Sequence, residues 1–330
     1  MWQIIFKFAP LTENNKVLTD MKKILVSIAA LFAAVSVMSA QNMADATETA
    51  KLANESLTAG DYETALSGFR EALRMAEACG DEGLELATTC KDVIPSLLSR
   101  LAKAELQAGN FDAALDKFSE TVATATEYGN EEVAAECAGL IKETHLRKGN
   151  SLLNAKDFTA AAEAYAKVLE IAPTDGVASL RYGMALENSG NSEAAEAAYK
   201  VAAENGQNAN ANSQLGKLYL RRSVASLKAK KYSAAVTEAV TANEYAANPQ
   251  ALQIAGQASQ LSGKNNDAIK YFEQYLEAAP NAKNAGQIAY TLGALFQQAK
   301  NNAKAKEYFG KAVSDPKYGA DAKKALDALK

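Results

Sequence analysis

The sequence is poor in the residues that carry out most catalytic and metal chemistry. It contains one histidine, three cysteines and one tryptophan. Cys-x-x-Cys pairs, phosphate-binding glycine-rich loops and serine nucleophile elbows are missing, and so are the acidic loops that hold calcium. A histidine-dependent hydrolase would depend on His145 alone, and a place on a helix surface is the better interpretation of that residue. We therefore expect no enzymatic activity, no cofactor and no metal.

Long apolar runs are missing as well, with one exception near the N-terminus. Residues 24–38 form an apolar run of 15 residues after the basic start Met21-Lys22-Lys23, and the small residues Ser39-Ala40 follow it. This order is typical of a secretory signal peptide, and the run is shorter than the ~20 residues of a membrane-spanning helix. We interpret residues 21–40 as a signal peptide cleaved after Ala40, and residues 1–20 as a non-native upstream extension.

The mature chain, residues 41–330, has no strong excess of charge. It carries 31 Lys and Arg against 37 Asp and Glu, a balance of −6. A mildly acidic chain is a poor match for nucleic acid or anionic lipid as its main partner. We predict a protein of the bacterial cell envelope, periplasmic or secreted, with no membrane insertion after the signal is cleaved.

The three cysteines leave at least one thiol unpaired. Cys79 falls at a predicted turn, and Cys90 lies roughly 12 Å further up the next helix by helical rise, beyond the reach of a disulfide. Cys90 and Cys137 occupy equivalent places on adjacent helices, where a disulfide would form only with strain. Free buried thiols are the favoured interpretation, and a strained Cys90–Cys137 disulfide is the alternative.

What the sequence does have is a repeated helical pattern, clearest in residues 248–280. Pro249 suits the first position of a helix, where its missing N–H is not needed. Small and apolar residues then recur at helical spacing, and Gly263 favours a helix C-terminus. A second helical pattern follows and stops at Pro280. The stretch predicts two antiparallel helices joined by a tight turn, which need neighbours to bury their apolar faces.

The same unit recurs seven times along the chain. An alanine opens the second helix of each unit, an aromatic residue follows four positions later in six of the seven, and in four units a glycine stands twelve positions before the alanine. The alanines are Ala65, Ala114, Ala161, Ala195, Ala235, Ala268 and Ala305; the aromatic residues are Phe69, Phe118, Tyr165, Tyr199, Phe272 and Phe309; and the glycines are Gly149, Gly183, Gly256 and Gly293.

This register resembles the tetratricopeptide repeat family, whose helix-turn-helix unit is about 34 residues long. The pairs Tyr182-Gly183 and Leu292-Gly293 and the triplet Ala195…Tyr199…Ala202 match its motif positions. The resemblance covers roughly residue 41 to the C-terminus. It implies an all-α fold, a right-handed α-α superhelix or solenoid of about seven helix-turn-helix repeats. N-terminal repeats would occupy residues 41–175, and C-terminal repeats with a capping helix would occupy residues 176–330.

The spacing departs from the family at three places. The first three alanines are 49 and 47 residues apart, so we expect lengthened helices within residues 41–175. Pro95 predicts a kink or a break in the long helical segment 82–107. In the fifth unit the pair Leu215-Gly216 comes seven residues early, which predicts a first helix about two turns longer than its neighbours.

The resemblance implies that the first helices line a concave face where ligands bind. Matched to the family, the candidate ligand-binding residues are Gln250, Gln253, Gln257 and Gln260 in the sixth unit and Gln287, Tyr290 and Gln297 in the seventh, with Gln298 beside them. Amides donate and accept hydrogen bonds, so such a stripe can pair with the main chain of an extended peptide or with sugar hydroxyls. The lack of charge favours a ligand with little net charge that stacks on Tyr290. A merely solvated polar face is the alternative.

A second groove of the family binds a terminal carboxylate. Asn150, Lys217 and Arg221 match part of it, but Leu146 and Arg181 stand where other residue types are needed. We do not predict that site here.

The sequence thus predicts an exported, non-enzymatic scaffold or adaptor that binds a protein or peptide partner within a cell-envelope assembly. A glycan-binding module and an accessory subunit of an envelope enzyme are the alternatives.

Overall fold

The computed structural model describes residues 42–329, so the signal peptide and the upstream extension predicted for residues 1–40 lie outside it. Within the described range the chain is all-α, without a β-strand, as predicted. None of these helices combines the length and the apolarity that crossing a membrane requires. The helices are α1 (residues 42–59), α2 (Tyr62–Ala78), α3 (Leu84–Ala108), α4 (Phe111–Glu127), α5 (Glu131–Asn154), α6 (Phe158–Ile171), α7 (Gly176–Asn188), α8 (Ser192–Ala202), α9 (Asn208–Lys228), α10 (Tyr232–Tyr245), α11 (Pro249–Leu261), α12 (Asn265–Ala278), α13 (Ala285–Gln298), α14 (Asn302–Ala312) and α15 (Gly319–Ala328).

Internal contacts divide the described residues into two compact units, one that ends at Arg147 and one that begins at Lys148, with the boundary inside α5. The sequence placed its own boundary later, after residue 175, where long repeats give way to short ones. In the first unit α2 packs on α3 and α3 on α4, around a core that includes Phe69, Ile94 and Leu98.

The helices of the first unit are long, which confirms the prediction from the wide spacing of the alanines. The helices α2 and α4 have 17 residues each and α3 has 25, whereas α6, α7 and α8 have 14, 13 and 11. Insertions of whole turns keep the same face of a helix directed inward, so the extra residues lengthen the helices without changing which side is buried.

The break considered at Pro95 does not occur. Helix α3 continues through Pro95 from Leu84 to Ala108. Pro95 removes one backbone hydrogen bond from the helix. It is itself buried, however, and its neighbours Ile94 and Leu97 lie in the core. Burial of this apolar face offsets the lost bond, so the helix stays continuous.

The repeat register predicted from the sequence is confirmed by burial. All seven alanines that open the second helices have an exposed fraction of 0%. The six aromatic residues four positions later are buried as well, and Ala239 takes their place in the fifth unit.

Each of the four predicted glycines makes room for the aromatic ring of its own unit. A Cβ added at Gly149, Gly183, Gly256 or Gly293 would lie 2.5–2.8 Å from a ring atom of Tyr165, Tyr199, Phe272 or Phe309 respectively. Real Cβ atoms essentially never come this close to another atom, so these positions let the two helices of a hairpin approach.

The fifth unit has the long first helix that the early Leu215-Gly216 pair predicted. Helix α9 has 21 residues, whereas α7 and α11 have 13 each. Gly216 lies beside Ala246 at the far end of α10, where an added Cβ would approach the Ala246 Cβ to 2.8 Å. The close approach of the two helices has thus moved about two turns along the hairpin.

The three cysteines are free thiols. Cys79 is half-buried, and Cys90 and Cys137 are buried. Burial raises the pKa of both buried thiols. Both therefore stay protonated and unreactive at neutral pH.

Candidate partner-binding face

The face that carries the glutamines begins with a well-defined helix, α11. The Asn248 side chain accepts a hydrogen bond of 2.9 Å from the backbone N–H of Gln250, and Pro249 occupies the first turn. At the other end Gly263 adopts a left-handed φ of +76°, and the N–H of Lys264 reaches the carbonyl of Ser259 at 2.9 Å. These are the start and stop signals expected from the sequence.

One side of α11 is fixed against the neighbouring helices. Ile254 and Ala255 lie in an apolar cluster with Ala239 of α10, and Gly256 faces the ring of Phe272 in α12. Residues at intervals of three and four on the opposite side of a helix then share one free face. Gln250, Gln257 and Gln260 are exposed there, and Gln253 is half-buried.

Helix α13 shares an apolar cluster with α11, because Leu252 of α11 packs in the same cluster as Ile288 and Leu292 of α13. Gln287 and Gln297 are exposed on α13. The structure therefore places the predicted glutamines on two helices that contribute to one cluster.

Gln298 differs from the other glutamines because its side chain forms a hydrogen bond within the protein. Its Oε1 accepts a hydrogen bond of 2.9 Å from Asn265 Nδ2, at the start of α12. Gln298 is thus held by a neighbouring turn, and the candidate partner-binding face consists of Gln250, Gln253, Gln257, Gln260, Gln287 and Gln297.

Tyr290 does not extend this face in the way the sequence suggested. It is half-buried, and its ring centroid lies 5.4 Å from that of Tyr318 and 5.5 Å from that of Phe309. Both neighbours come from the C-terminal side of α13. Tyr318 ends the connection to the capping helix α15, a segment outside the repeat pattern. The ring of Tyr290 therefore packs between α13 and this end of the chain, stacked on Tyr318 and tilted against Phe309.

The amide groups of the partner-binding face are available for a ligand. Across residues 42–329, none of its six glutamine side chains forms a hydrogen bond to another residue. No charged side chain belongs to the face. Such amides can donate to and accept from the main chain of an extended segment.

Two of the three residues that partly matched a carboxylate-binding groove are engaged elsewhere. Asn150 Oδ1 accepts a hydrogen bond of 2.7 Å from the Tyr165 hydroxyl and a second one from Arg181. Arg221 pairs with Glu187. An anion would have to displace these internal partners, which supports leaving that site out.

One polar cluster was missed by the sequence reasoning. Glu196 of α8 accepts hydrogen bonds from Lys200 at 2.7 Å, from the Tyr219 hydroxyl at 2.7 Å and from Arg222 at 2.5 Å. The Glu196–Lys200 spacing of four was visible in the sequence, but Tyr219 and Arg222 come from α9 and are brought close only by the fold. This cluster ties α8 to α9.

A recess of ≈ 550 Å³ lies away from the glutamines, between α12, α13 and α14. Its lining includes Glu273, Tyr308 and Lys311, and the Tyr308 hydroxyl donates to Glu273 at 2.7 Å. Lys311 lies 4.4 Å from the centroid of the Tyr308 ring. These three side chains are engaged with one another, so the recess offers a ligand less free hydrogen-bonding capacity than the glutamine face does.

Potential metal ligands are not clustered in the described part of the chain. No group of three or more His, Cys, Asp or Glu side chains within residues 42–329 could hold a metal ion. His145 is half-buried on α5.

Comparison with known proteins agrees with this architecture. Two models of the tetratricopeptide repeat match the chain, one over residues 152–218 and one over residues 249–282. The second match contains α11 and its four glutamines. A search of curated protein sequences gives no significant match.

Among solved structures, the chain is similar to a crystal structure of MamA protein, with 19% identity over 55% of this chain and 94% of that one and a TM-score of 0.34. It is also similar to the TPR domain of P58(IPK), with 14% identity over 86% of this chain and 97% of that one and a TM-score of 0.27. Likeness at these scores carries no argument about this chain.

Proposed function

We propose that this chain, a member of the tetratricopeptide repeat family, binds an extended segment of another protein along the glutamines of α11 and α13. Repeats of this family serve protein–protein interaction, and the single observation that carries the proposal is the set of uncharged, unbonded amides on one face. Such a face recognises the main chain and polar groups of its ligand rather than a charge. With the Tyr290 ring packed against Tyr318, the recognition is assigned to the glutamines alone.

We further propose that the protein is an exported scaffold or adaptor within a bacterial cell-envelope assembly. The support is the basic start Met21-Lys22-Lys23, the apolar run of residues 24–38 and the small residues Ser39-Ala40. The intact mass of the protein recovered from the envelope should correspond to a chain that begins at Gln41. A mass that still includes residues 24–38 would contradict the export proposal and leave the binding proposal standing.

The partner is best found by photo-crosslinking in cells, with the crosslinker placed at Gln257. A matched control has the crosslinker at Gln274, an exposed glutamine on the second helix of the same unit. A protein captured from Gln257 and not from Gln274 is the expected result. Retention on polysaccharide with no captured protein would favour the glycan-binding alternative.

The affinity of the captured segment then tests the face directly. Gln253→Ala with Gln257→Ala should weaken binding by about fivefold to a hundredfold, because each lost hydrogen bond contributes ~0.5–1.5 kcal/mol. Helix stability should hardly change, since alanine is the better helix former. Calorimetry of the double variant and of the control Gln274→Ala measures both effects. Equal affinity of double variant and parent would show that the partner binds elsewhere.

A further inference from the structure

The two units carry net charges of opposite sign. Residues 42–147 contain 9 Lys and Arg against 20 Asp and Glu, a balance of −11. Residues 148–330 contain 22 Lys and Arg against 17 Asp and Glu, a balance of +5. The mild overall charge of the chain is therefore the sum of an acidic unit and a basic one.

Much of the acidic excess lies along one edge of the first unit. We call it the acidic edge, and it consists of the α2–α3 and α4–α5 turns with Asp81, Glu85, Glu127, Glu131 and Glu132. These five carboxylates are exposed, and none forms a salt bridge with another residue of the described chain. The two turns are neighbours, since Lys91 near the start of α3 lies 5.7 Å from the centroid of the Tyr128 ring in the second turn.

A basic counterpart lies along one edge of the second unit. This basic edge consists of the α9–α10, α11–α12 and α13–α14 turns with Lys228, Lys230, Lys231, Lys264 and Lys300. All five lysines are exposed and form no salt bridge within residues 42–329. The last two turns are held side by side by the Asn265–Gln298 hydrogen bond. Asp267 is the acidic residue in the first turn of α12, and the first turns of α10 and α14 have none.

Two of these lysines occupy strained backbone positions. Lys230 and Lys300 both have φ of +59°, at the turn position where Gly263 has +76°. Glycine adopts this left-handed conformation without steric cost, whereas a residue with a Cβ does not. The basic edge thus keeps lysine where glycine would be conformationally easier.

Each edge also exposes a leucine beside one of its turns. Leu84 begins α3 after the first acidic turn and is 66% exposed, and Leu261 ends α11 before Lys264 and is 53% exposed. The charges have a local explanation, because carboxylates favour helix N-termini and lysines favour C-termini. That explanation does not account for a large apolar side chain exposed next to them on each edge. Apolar side chains accompanied by polar ones are the usual composition of a protein interface.

We propose that the acidic edge of one copy of this protein docks onto the basic edge of a second copy, with Leu84 against Leu261. Both edges are built from turns that connect successive packed helices, so the same helix-packing distance of roughly 10 Å sets the spacing of charges on each. The occupant is a second copy because the chain itself carries the complementary surface. Such a contact joins different surfaces of the two copies and leaves one edge of each sign free for a further contact.

Two charge-reversed variants test this pairing. Lys231→Glu with Lys264→Glu makes the basic edge acidic, and Glu85→Lys with Glu132→Lys makes the acidic edge basic. Each variant alone should lose self-association by more than about tenfold, because like charges then face each other. An equimolar mixture should recover it, because each reversed edge then finds an edge of opposite sign. Sedimentation and light scattering of the purified protein across a dilution series measure the association.

The salt dependence of self-association and two control variants test whether the charges of these edges are responsible. Association of the parent should weaken as salt rises, since exposed charges are screened within roughly 8–10 Å at physiological ionic strength. Lys306→Glu with Lys323→Glu changes the net charge equally but lies outside both edges, on α14 and α15, and should associate like the parent. Gln253→Ala with Gln257→Ala should also associate normally, which separates this contact from the partner-binding face.

Three results would overturn the proposal. A parent that stays monomeric at low salt throughout the dilution series excludes it. Reversed variants that associate as strongly as the parent exclude these edges, and a mixture that does not recover association excludes the pairing. Leu84→Ser keeps every charge and changes only an exposed side chain. It should associate more weakly than the parent, and unchanged association would show that the leucines do not meet.

Discussion

The absence of a Cβ atom at glycine determines how closely the two helices of a hairpin approach. At Gly256 an added Cβ would lie 2.5 Å from Cδ1 of Phe272. Gly256→Ala should therefore reduce the free energy of unfolding by about 1–3 kcal/mol, the usual effect of overpacking. Urea unfolding followed by circular dichroism measures the change.

Gly310→Ala is the matched control for this substitution. Gly310 also lies inside a helix, α14, but a Cβ there would meet nothing within 4 Å. Alanine should stabilise that helix by about 0.5–1 kcal/mol. Equal effects of the two substitutions, in either direction, would show that Phe272 does not limit the packing of α11 on α12.

At the residue scale, the sequence predicts contacts between residues that are close together in the chain. The glycines, alanines and aromatic residues of one hairpin lie within sixteen positions of each other, so their register is visible in the chain. The environment of Tyr290 could not be predicted in this way. Its neighbour Tyr318 belongs to the connection before α15, which has no counterpart in the other repeats.

At the scale of helices, one ionised side chain links α8 to α9. Burial alone would raise the pKa of Glu196, but hydrogen bonds from Lys200, Tyr219 and Arg222 outweigh it and hold the pKa at about 2, against 4.5 in the unfolded chain. Because the folded pKa is the lower one, the link stabilises the fold fully above about pH 4.5 and is lost as pH falls toward 2. A depression of this size corresponds to roughly 3 kcal/mol.

Glu196→Gln should accordingly reduce the free energy of unfolding at pH 7 by roughly 2–3 kcal/mol. The difference from the parent should shrink as the pH is lowered to about 3, where the carboxylate of the unfolded parent is already protonated. Glu170→Gln is the control, since Glu170 pairs with Lys167 at the surface and should change stability by less than about 1 kcal/mol. Denaturant unfolding at several pH values measures both variants. A penalty that stays constant with pH would show that the charge of Glu196 is not what joins the helices.

Helix lengths were predictable to the extent that they follow from the spacing of repeat positions. The two extra turns of α9 followed from an early Leu215-Gly216 pair. The continuity of α3 through Pro95 was not predictable, because it depends on how much apolar surface the flanking residues bury. Local chemistry specifies a weak point in a helix, and tertiary packing decides whether the helix ends there.

For the whole molecule, a net charge proved less informative than its distribution. The value of −6 for the mature chain argued against charged partners, but it averages an acidic unit with a basic one. The fold forms ion pairs such as Arg70–Glu120, whose members are 50 residues apart in sequence. Such pairs determine which carboxylates are left without a cation. A sum over the sequence cannot identify those pairs.

Because the contacting residues are close in sequence, the contacts also affect the order in which the protein folds. Even a long-range side-chain hydrogen bond such as the one between Lys117 and Glu63 spans only 54 residues, and the helices pack on helices that are close in sequence. Chains with such local contacts fold fast, and stacked repeats propagate structure from one unit to the next. A polypeptide of this kind can therefore acquire its native shape vectorially while it is still being synthesised. The first hairpins close as soon as they emerge, and each one then serves as the template for the segment that follows.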